Sequence, residues 1–199
     1  MRAAWAAVLG VALAAQAAVG GELRGRVGLE LPGARLADFG PVVVYLEAAD
    51  GARPRSARPE LRQHAAQFTP GFLAVAVDEP VSMPNDDDIF HNVFSFSSPN
   101  DFDLGLYPAG ESRTVRFEHP GVVKVYCSIH EGMSATIFVA PTPLFAVTDA
   151  DGRYAIADVP PARYRVRTWA EKLPDTAREV AIGPGVTALD LRLGEKAAR

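Results

Sequence analysis

Cys127, His130 and Met133 fall within one seven-residue run, Cys127-Ser-Ile-His130-Glu-Gly-Met133, which puts a thiolate, an imidazole and a thioether on a single short loop. Cys127 is the only cysteine of the chain. Without an intrachain disulfide partner it is buried and inert, paired between chains, or held by a metal. A single buried cysteine is usually inert, but the donors beside this one favour the metal. One more imidazole completes a set of one Cys, two His and an axial Met, a donor set for copper that passes single electrons. His91 can supply it. Zinc ranks lower, because a thioether is a poor zinc ligand and structural zinc takes closed Cys and His sets at other spacings.

Those donors need strands to hold them. Alternation along Gly121-Val-Val-Lys-Val-Tyr-Cys127 puts Val123, Val125 and Cys127 on one face and Lys124 and Tyr126 on the other. Met133, Ala135, Ile137 and Val139 share a face beyond the loop, so a hairpin-like turn gathers Cys127, His130 and Met133. His91 opens a separate strand and arrives through tertiary folding. Copper(I) and copper(II) prefer different geometries, so a rigid compromise site loses little energy at each electron transfer.

The rest of the chain reads as all-β. Sixteen prolines and 17 glycines separate short runs rich in Val, Phe and Tyr. Strands are expected over 22–30, 41–47, 60–68, 71–77, 91–97, 112–118, 122–127, 135–140, 146–148, 153–157, 163–170, 179–182 and 187–193. The stretch from Ala49 to Pro59, with Gly51, two prolines and Arg53, Arg55 and Arg58, reads as a surface connection. No long amphipathic helix and no internal repeat is evident.

Arg2, the apolar stretch Ala3 to Ala15 and the small residues Ala15-Gln16-Ala17-Ala18 read as a secretory signal peptide over residues 1–20, cleaved near Ala17 or a few residues later. The stretch is too short to span a bilayer. A periplasmic or secreted location follows, with no membrane attachment after cleavage. The remaining chain of about 180 residues is enough for one large or two small domains. Its formal charge of −4, or −5 once Arg2 is removed, argues against nucleic acid or anionic membrane as a partner.

The segment from about Glu60 to Ala140 resembles the cupredoxins of the amicyanin, pseudoazurin and plastocyanin group. The likeness lies in Gln67-Phe-Thr-Pro70, in Asn85 through His91-Asn92-Val93, and in the Cys-x2-His-x2-Met loop, whose spacing is the short loop of amicyanin. The runs His91 to Ser97, Phe102 to Tyr107 and Val125 to His130 are more similar still to plastocyanin-like proteins often labelled methylamine utilization proteins. The resemblance implies a Greek-key cupredoxin β-sandwich with one type 1 copper held by His91, Cys127, His130 and Met133. It also makes Asn92 the residue that ties the two ligand loops together, and implies a redox partner such as a c-type cytochrome or a periplasmic oxidoreductase. Two features depart from the pattern. Glu131 stands where Pro is common, which weighs against an apolar docking patch beside His130. Asp86, Asp87 and Asp88 precede His91; this run either steers a basic partner, collects copper, or is a solvated turn.

The flanks resemble something else. Gly25-Arg-Val27 with Pro41 to Glu47, and later Thr148 through Pro160 with Tyr164, are similar to two halves of a carboxypeptidase regulatory-like, transthyretin-type β-sandwich. The resemblance implies that residues 58–141 form the copper domain, and that 21–57 and 142–199 form the second sandwich around it or beside it. His64 is a candidate fifth ligand but reads better as an exposed or hydrogen-bonded residue, and His119 in its Pro-Gly turn as a surface residue. With four histidines in the chain, a multicopper oxidase or copper nitrite reductase lacks the ligands it needs, and no hydrolase pattern is present. The expected function is non-enzymatic: a periplasmic electron carrier, with a copper chaperone or storage protein and a structural or carbohydrate-associated module as alternatives.

Overall fold

The computed structural model describes residues 20–49, 52 and 57–194. The expected signal peptide lies outside the described residues apart from Gly20, as do residues 50, 51 and 53–56 of the Arg- and Pro-rich connection. The chain is all-β. It opens with β1 (Gly21–Leu29) and β2 (Val43–Leu46), with a short 3-10 helix, Leu36–Phe39, between them. There follow β3 (Arg62–His64), β4 (Gln67–Thr69), β5 (Phe72–Ala76), β6 (Pro80–Pro84), β7 (His91–Ser95), β8 (Phe102–Tyr107), β9 (Ser112–Arg116), β10 (Gly121–Tyr126) and β11 (Ser134–Ala140). Last come β12 (Phe145–Val147), β13 (Arg153–Val159), β14 (Ala162–Trp169), β15 (Ala177–Ile182), β16 (Gly185–Ala188) and β17 (Leu191–Leu193). Among the described residues no helix is long and apolar enough to cross a membrane.

The two ends of the chain pair with each other across the intervening segment. β1 runs antiparallel to β13, with Leu23 opposite Ile156, and parallel to β16 and β17. β2 lies between β12 and β14, with Leu46 opposite Val166, and β15 completes that sheet. Side chains from both sheets, including Leu23, Val27, Val44, Leu46, Ile156 and Val166, form one core. Gly25 is required by close approach, since a Cβ there would lie 1.9 Å from Leu189 O. At the Asp149-Ala-Asp-Gly152 turn, Gly152 adopts φ +80° with its Cβ position 2.3 Å from Val27 O, which only glycine tolerates.

The run Val42 to Leu46 is apolar without alternation because both its faces are covered. Val42, Val44 and Leu46 point into the core just described. Val43 and Tyr45 face the opposite way and pack with Ala76, Phe138 and Ala140 of the intervening segment. Stacked and tilted rings fasten this seam: Tyr45 on Phe138 at 5.4 Å, Phe138 on Trp169 at 4.9 Å and Phe72 on Trp169 at 5.7 Å between centroids. Such pairs contribute about 0.5–1.5 kcal/mol each beyond their buried area. Lys124 and Glu171 pair at the seam's edge.

The intervening strands make a second sandwich. One sheet has the order β5-β11-β10-β7-β8, with β5 parallel to β11. Opposite it lie the β3–β4 hairpin and the β6–β9 pair, bridged at Glu60 to Ser82 and Gln63 to Asn85. The chain crosses between these sheets repeatedly, as Greek-key connections do.

The expected strands differ from the observed ones in two kinds of place. The span 60–68 is two strands, because Ala65 and Ala66 turn the chain at φ 52° and 51°. That conformation costs a residue with a Cβ about 1–2 kcal/mol and is normally given to Asn-Gly, so the pattern carries no turn signal. Likewise 187–193 divides into β16 and β17, separated where Leu189 N–H donates to Arg24 O. β6 and β8 are additional strands; Pro80, Pro84 and Gly105 mask their pattern.

Candidate metal centre

Val123 and Val125 of β10 and Cys127, the residue after its end, form an inward stripe, each 8% exposed or less. The chain then folds back sharply. Cys127 N–H donates to Met133 O at 3.2 Å, Met133 N–H donates to His130 O at 3.3 Å, and Gly132 takes φ +83°. His91, fully buried, begins β7 opposite Tyr107 on β8. Cys127 Sγ lies 3.9 Å from His91 Nδ1 and 3.7 Å from His130 Nδ1. The two imidazoles meet edge-on at 4.6 Å between centroids. All three donor atoms lie within 4.8 Å of one another.

These distances can be tested against an ion. With metal–sulfur and metal–nitrogen lengths of about 2.3 and 2.0 Å, donors spread at 120° stand roughly 3.7 Å apart. The two sulfur–nitrogen distances match that spacing, so His91, Cys127 and His130 fit one metal ion. Met133 is 2% exposed and packs in the same core as Cys127.

A buried polar shell surrounds the donors. Asn92 Oδ1 accepts hydrogen bonds from Ser128 N–H at 2.7 Å and Ser128 Oγ at 2.8 Å, linking the strand of His91 to the loop of Cys127. Asn85, fully buried, organises the segment before His91: its amide donates to Ile89 O and Tyr107 O, and its carbonyl accepts from Asp87 N–H. Tyr107 donates to Met83 O and accepts from the Gln63 amide. Burial pushes the Tyr107 phenol up to about 12, which keeps it protonated as that donor.

Asp87 is not part of a solvated turn. Its carboxylate accepts Ala65 N–H at 2.6 Å and Ala66 N–H at 2.9 Å, and it lies 2.7 Å from His91 Nε2. Burial disfavours its charge, but the hydrogen bonds from Ala66, His91 and Ala65 outweigh that and hold the carboxyl below its usual range. Because a carboxylate only accepts, the His91 proton belongs on Nε2 and the Nδ1 lone pair faces Cys127. Asp86 pairs with Arg62 at 2.7 Å, and Asp88 is exposed.

The donor end also presents apolar surface, contrary to the expectation drawn from Glu131. Ile89 and Phe90, just before His91, are 43% and 55% exposed; Ile129, just before His130, is 50% exposed; Leu106, opposite Asn92, is 54% exposed. His64 and His119 are exposed surface residues. The roles of Asn85, Asp87 and Ser128 go beyond the sequence reading. The one available signal was the four-residue spacing of Asp87 and His91, which is uninformative until the loop's path is known.

No family model matches the chain, and no curated sequence matches it. Among solved structures it is similar to a purple cupredoxin from Nitrosopumilus maritimus, at 24% identity, TM-score 0.37, over 41% of this chain and 99% of that one. It is similar to the copper-containing nitrite reductase of Thermus scotoductus SA-01, at 23% identity and TM-score 0.41, over 48% of this chain and 25% of that one. A reduced mutant of amicyanin is similar at 16% identity and TM-score 0.40, over 49% and 97%. Likenesses of this size decide nothing about the chemistry of this chain. Its own donor atoms carry that reading.

Proposed function

We propose that the chain is a periplasmic type 1 copper protein that transfers single electrons and catalyses no bond chemistry. The observation that carries this reading is the His91–Cys127–His130 cluster, whose donor atoms converge within 4.8 Å in a largely buried setting. Thiolate and imidazole together suit copper or zinc, and Met133 in the same core favours copper, which accepts a thioether. A copper ion held there would supply a one-electron couple, gaining an electron from a reduced donor protein and losing it to an oxidised acceptor.

The residues around it would do the rest. Cys127 would bind it as thiolate, His91 and His130 through Nδ1, and Met133 would offer its thioether as a further donor. Asn92 would keep the two ligand loops from separating when the charge changes, and the surrounding core would exclude water. A site held this firmly rearranges little between oxidation states, which favours fast transfer.

The exposed Ile89, Phe90 and Ile129 lie on the segments that lead into His91 and His130, and Leu106 on β8 beside the strand of His91; together they would form the contact surface for a redox partner. Asp88 and Glu131 stand beside them, and residues 58–141 carry five Lys and Arg against eleven Asp and Glu. A basic partner, such as a c-type cytochrome, suits that balance. In this reading residues 58–141 are the copper domain, and 21–57 with 142–199 form a transthyretin-type sandwich that carries it.

Voltammetry of the copper-loaded protein in the presence of a modest copper(I) chelator tests the assignment. A carrier gives a reversible couple and keeps its copper. Loss of copper(I) within minutes, or the lack of a reversible couple, would assign the site to copper handling instead.

A further inference from the structure

The stem of the β3–β4 hairpin is tied to the segment before His91 by the Gln63–Asn85 bridge and the Arg62–Asp86 pair, and Asp87 extends that tie to the hairpin tip and to the imidazole itself. His91 Nε2 lies 2.7 Å from Asp87 Oδ2. At the hairpin tip, Ala65 and Ala66 hold left-handed conformations that alanine avoids. Both tip amides donate to the same carboxylate, one to each oxygen. The turn lacks the Asn-Gly residues that would make it self-sufficient, so its shape depends on a group outside the hairpin. The side chain of Asp87 is 11% exposed, and Asn85 fixes its backbone from the other side through Asp87 N–H.

We infer that Asp87 is a positioning residue that couples the His64–Gln67 hairpin tip to the metal centre: it holds His91 with Nδ1 free for the metal while its other bonds impose the shape of the tip. This rests on the reading of His91 as a metal ligand. The coupling is reciprocal. A metal that fixes His91 fixes Asp87, and so firms the tip. A contact that distorts the exposed tip pulls on the carboxylate, and so alters His91 as a donor. The tip is thus a place outside the ligand loops from which a bound partner reaches the metal.

The test uses Asp87→Asn, with and without the paired change Ala65→Asn and Ala66→Gly, which gives the hairpin its own turn. In the metal-free protein the NMR signal of the His91 Nε2 proton is followed, together with hydrogen exchange at residues 65 and 66. In the copper-loaded protein the reduction potential and copper(II) affinity are measured. Asp87→Asn is expected to shift or broaden the His91 signal and to speed tip exchange about ten-fold or more. It is also expected to weaken copper(II) binding by about 10–100-fold and to raise the potential, since a carboxylate partner makes imidazole a better donor to copper(II). Copper loading of the unaltered protein should slow exchange at the tip.

In the Asn-Gly background, Asp87→Asn should leave tip exchange unchanged and still move the potential. Loss of that shift there would mean the carboxylate acts only through the hairpin, and would overturn the assignment of Asp87 to His91. An unchanged His91 signal in the metal-free protein would overturn it equally, even if the protein bound no copper. Tip exchange indifferent to metal loading would overturn the coupling.

Discussion

The two sandwiches of this chain are built by the same rules and filled differently. Among the described residues, Gln63, Asn85, His91, Asn92, Ser95 and Asn100 are buried polar side chains of the donor-bearing sandwich, whereas the flanking one buries only Thr142 and Thr168. Burying a polar group costs free energy unless it is hydrogen-bonded. In the flanking sandwich that cost is avoided, and a continuous apolar core results. In the other, although Gln63 Oε1 has no hydrogen-bond partner, most of the cost is met by a network in which Asn85, Asp87 and Asn92 each hold a segment next to a donor atom. Polar burial therefore marks where the molecule is specialised, and apolar burial where it only needs to stand.

Breaking that contrast from the supporting side should give the largest effect on stability. Trp169→Ala removes the half-buried ring that stacks on both Phe72 and Phe138 across the seam, and should cost about 3 kcal/mol, the low end of the range for a fully buried ring. Thermal unfolding would read this as a lower midpoint, while the copper spectrum of the folded protein stays as it was. A changed spectrum would mean that the seam shapes the site.

From the other side, Asn92→Ala should cost less stability and more function. It leaves Ser128 N–H without its acceptor, for about 1–3 kcal/mol, and frees the Cys127 loop from the strand of His91. Copper affinity measured by competition should fall by about 10–100-fold. Equal loss in stability alone would make Asn92 a structural residue like those of the flanks.

Met133→Gln sharpens the contrast within the site. An oxygen donor favours copper(I) less than a thioether does, so the reduction potential should drop while the thiolate colour persists. The smallest effect on the fold is expected at the rim. Glu131→Gln should change stability by no more than about 0.5 kcal/mol, yet lessen the salt dependence of electron transfer with a basic partner protein. Stopped-flow rates at several ionic strengths would show it.

The same contrast explains what was legible in the sequence. Val42 to Leu46 announces a strand, and Val123, Val125 and Cys127 announce an inward stripe, because periodicity and apolar runs are local properties. The Cys-x2-His-x2-Met spacing was legible for the same reason. The division of β3 from β4 was not, since the Ala65-Ala66 turn is held by Asp87, a residue some twenty positions away. Nor was the exposure of Phe90 and Ile129. Glu131 was given weight as the next residue in the chain, while the surface is set by loops that meet only after folding. Asn85 enters the sequence reading only as the start of the run that ends in His91-Asn92-Val93, and serves in the structure as a buried clamp with three side-chain hydrogen bonds.

The central claim is that His91, Cys127 and His130 bind copper as a thiolate-bearing type 1 site. It is tested most directly by adding one equivalent of copper(II) to the purified protein and recording the visible spectrum. The expected result is an intense thiolate-to-copper band that saturates at one equivalent, disappears in Cys127→Ser and weakens severely in His91→Ala. A protein that remains colourless, or that holds zinc in preference and shows no such band, would contradict the account.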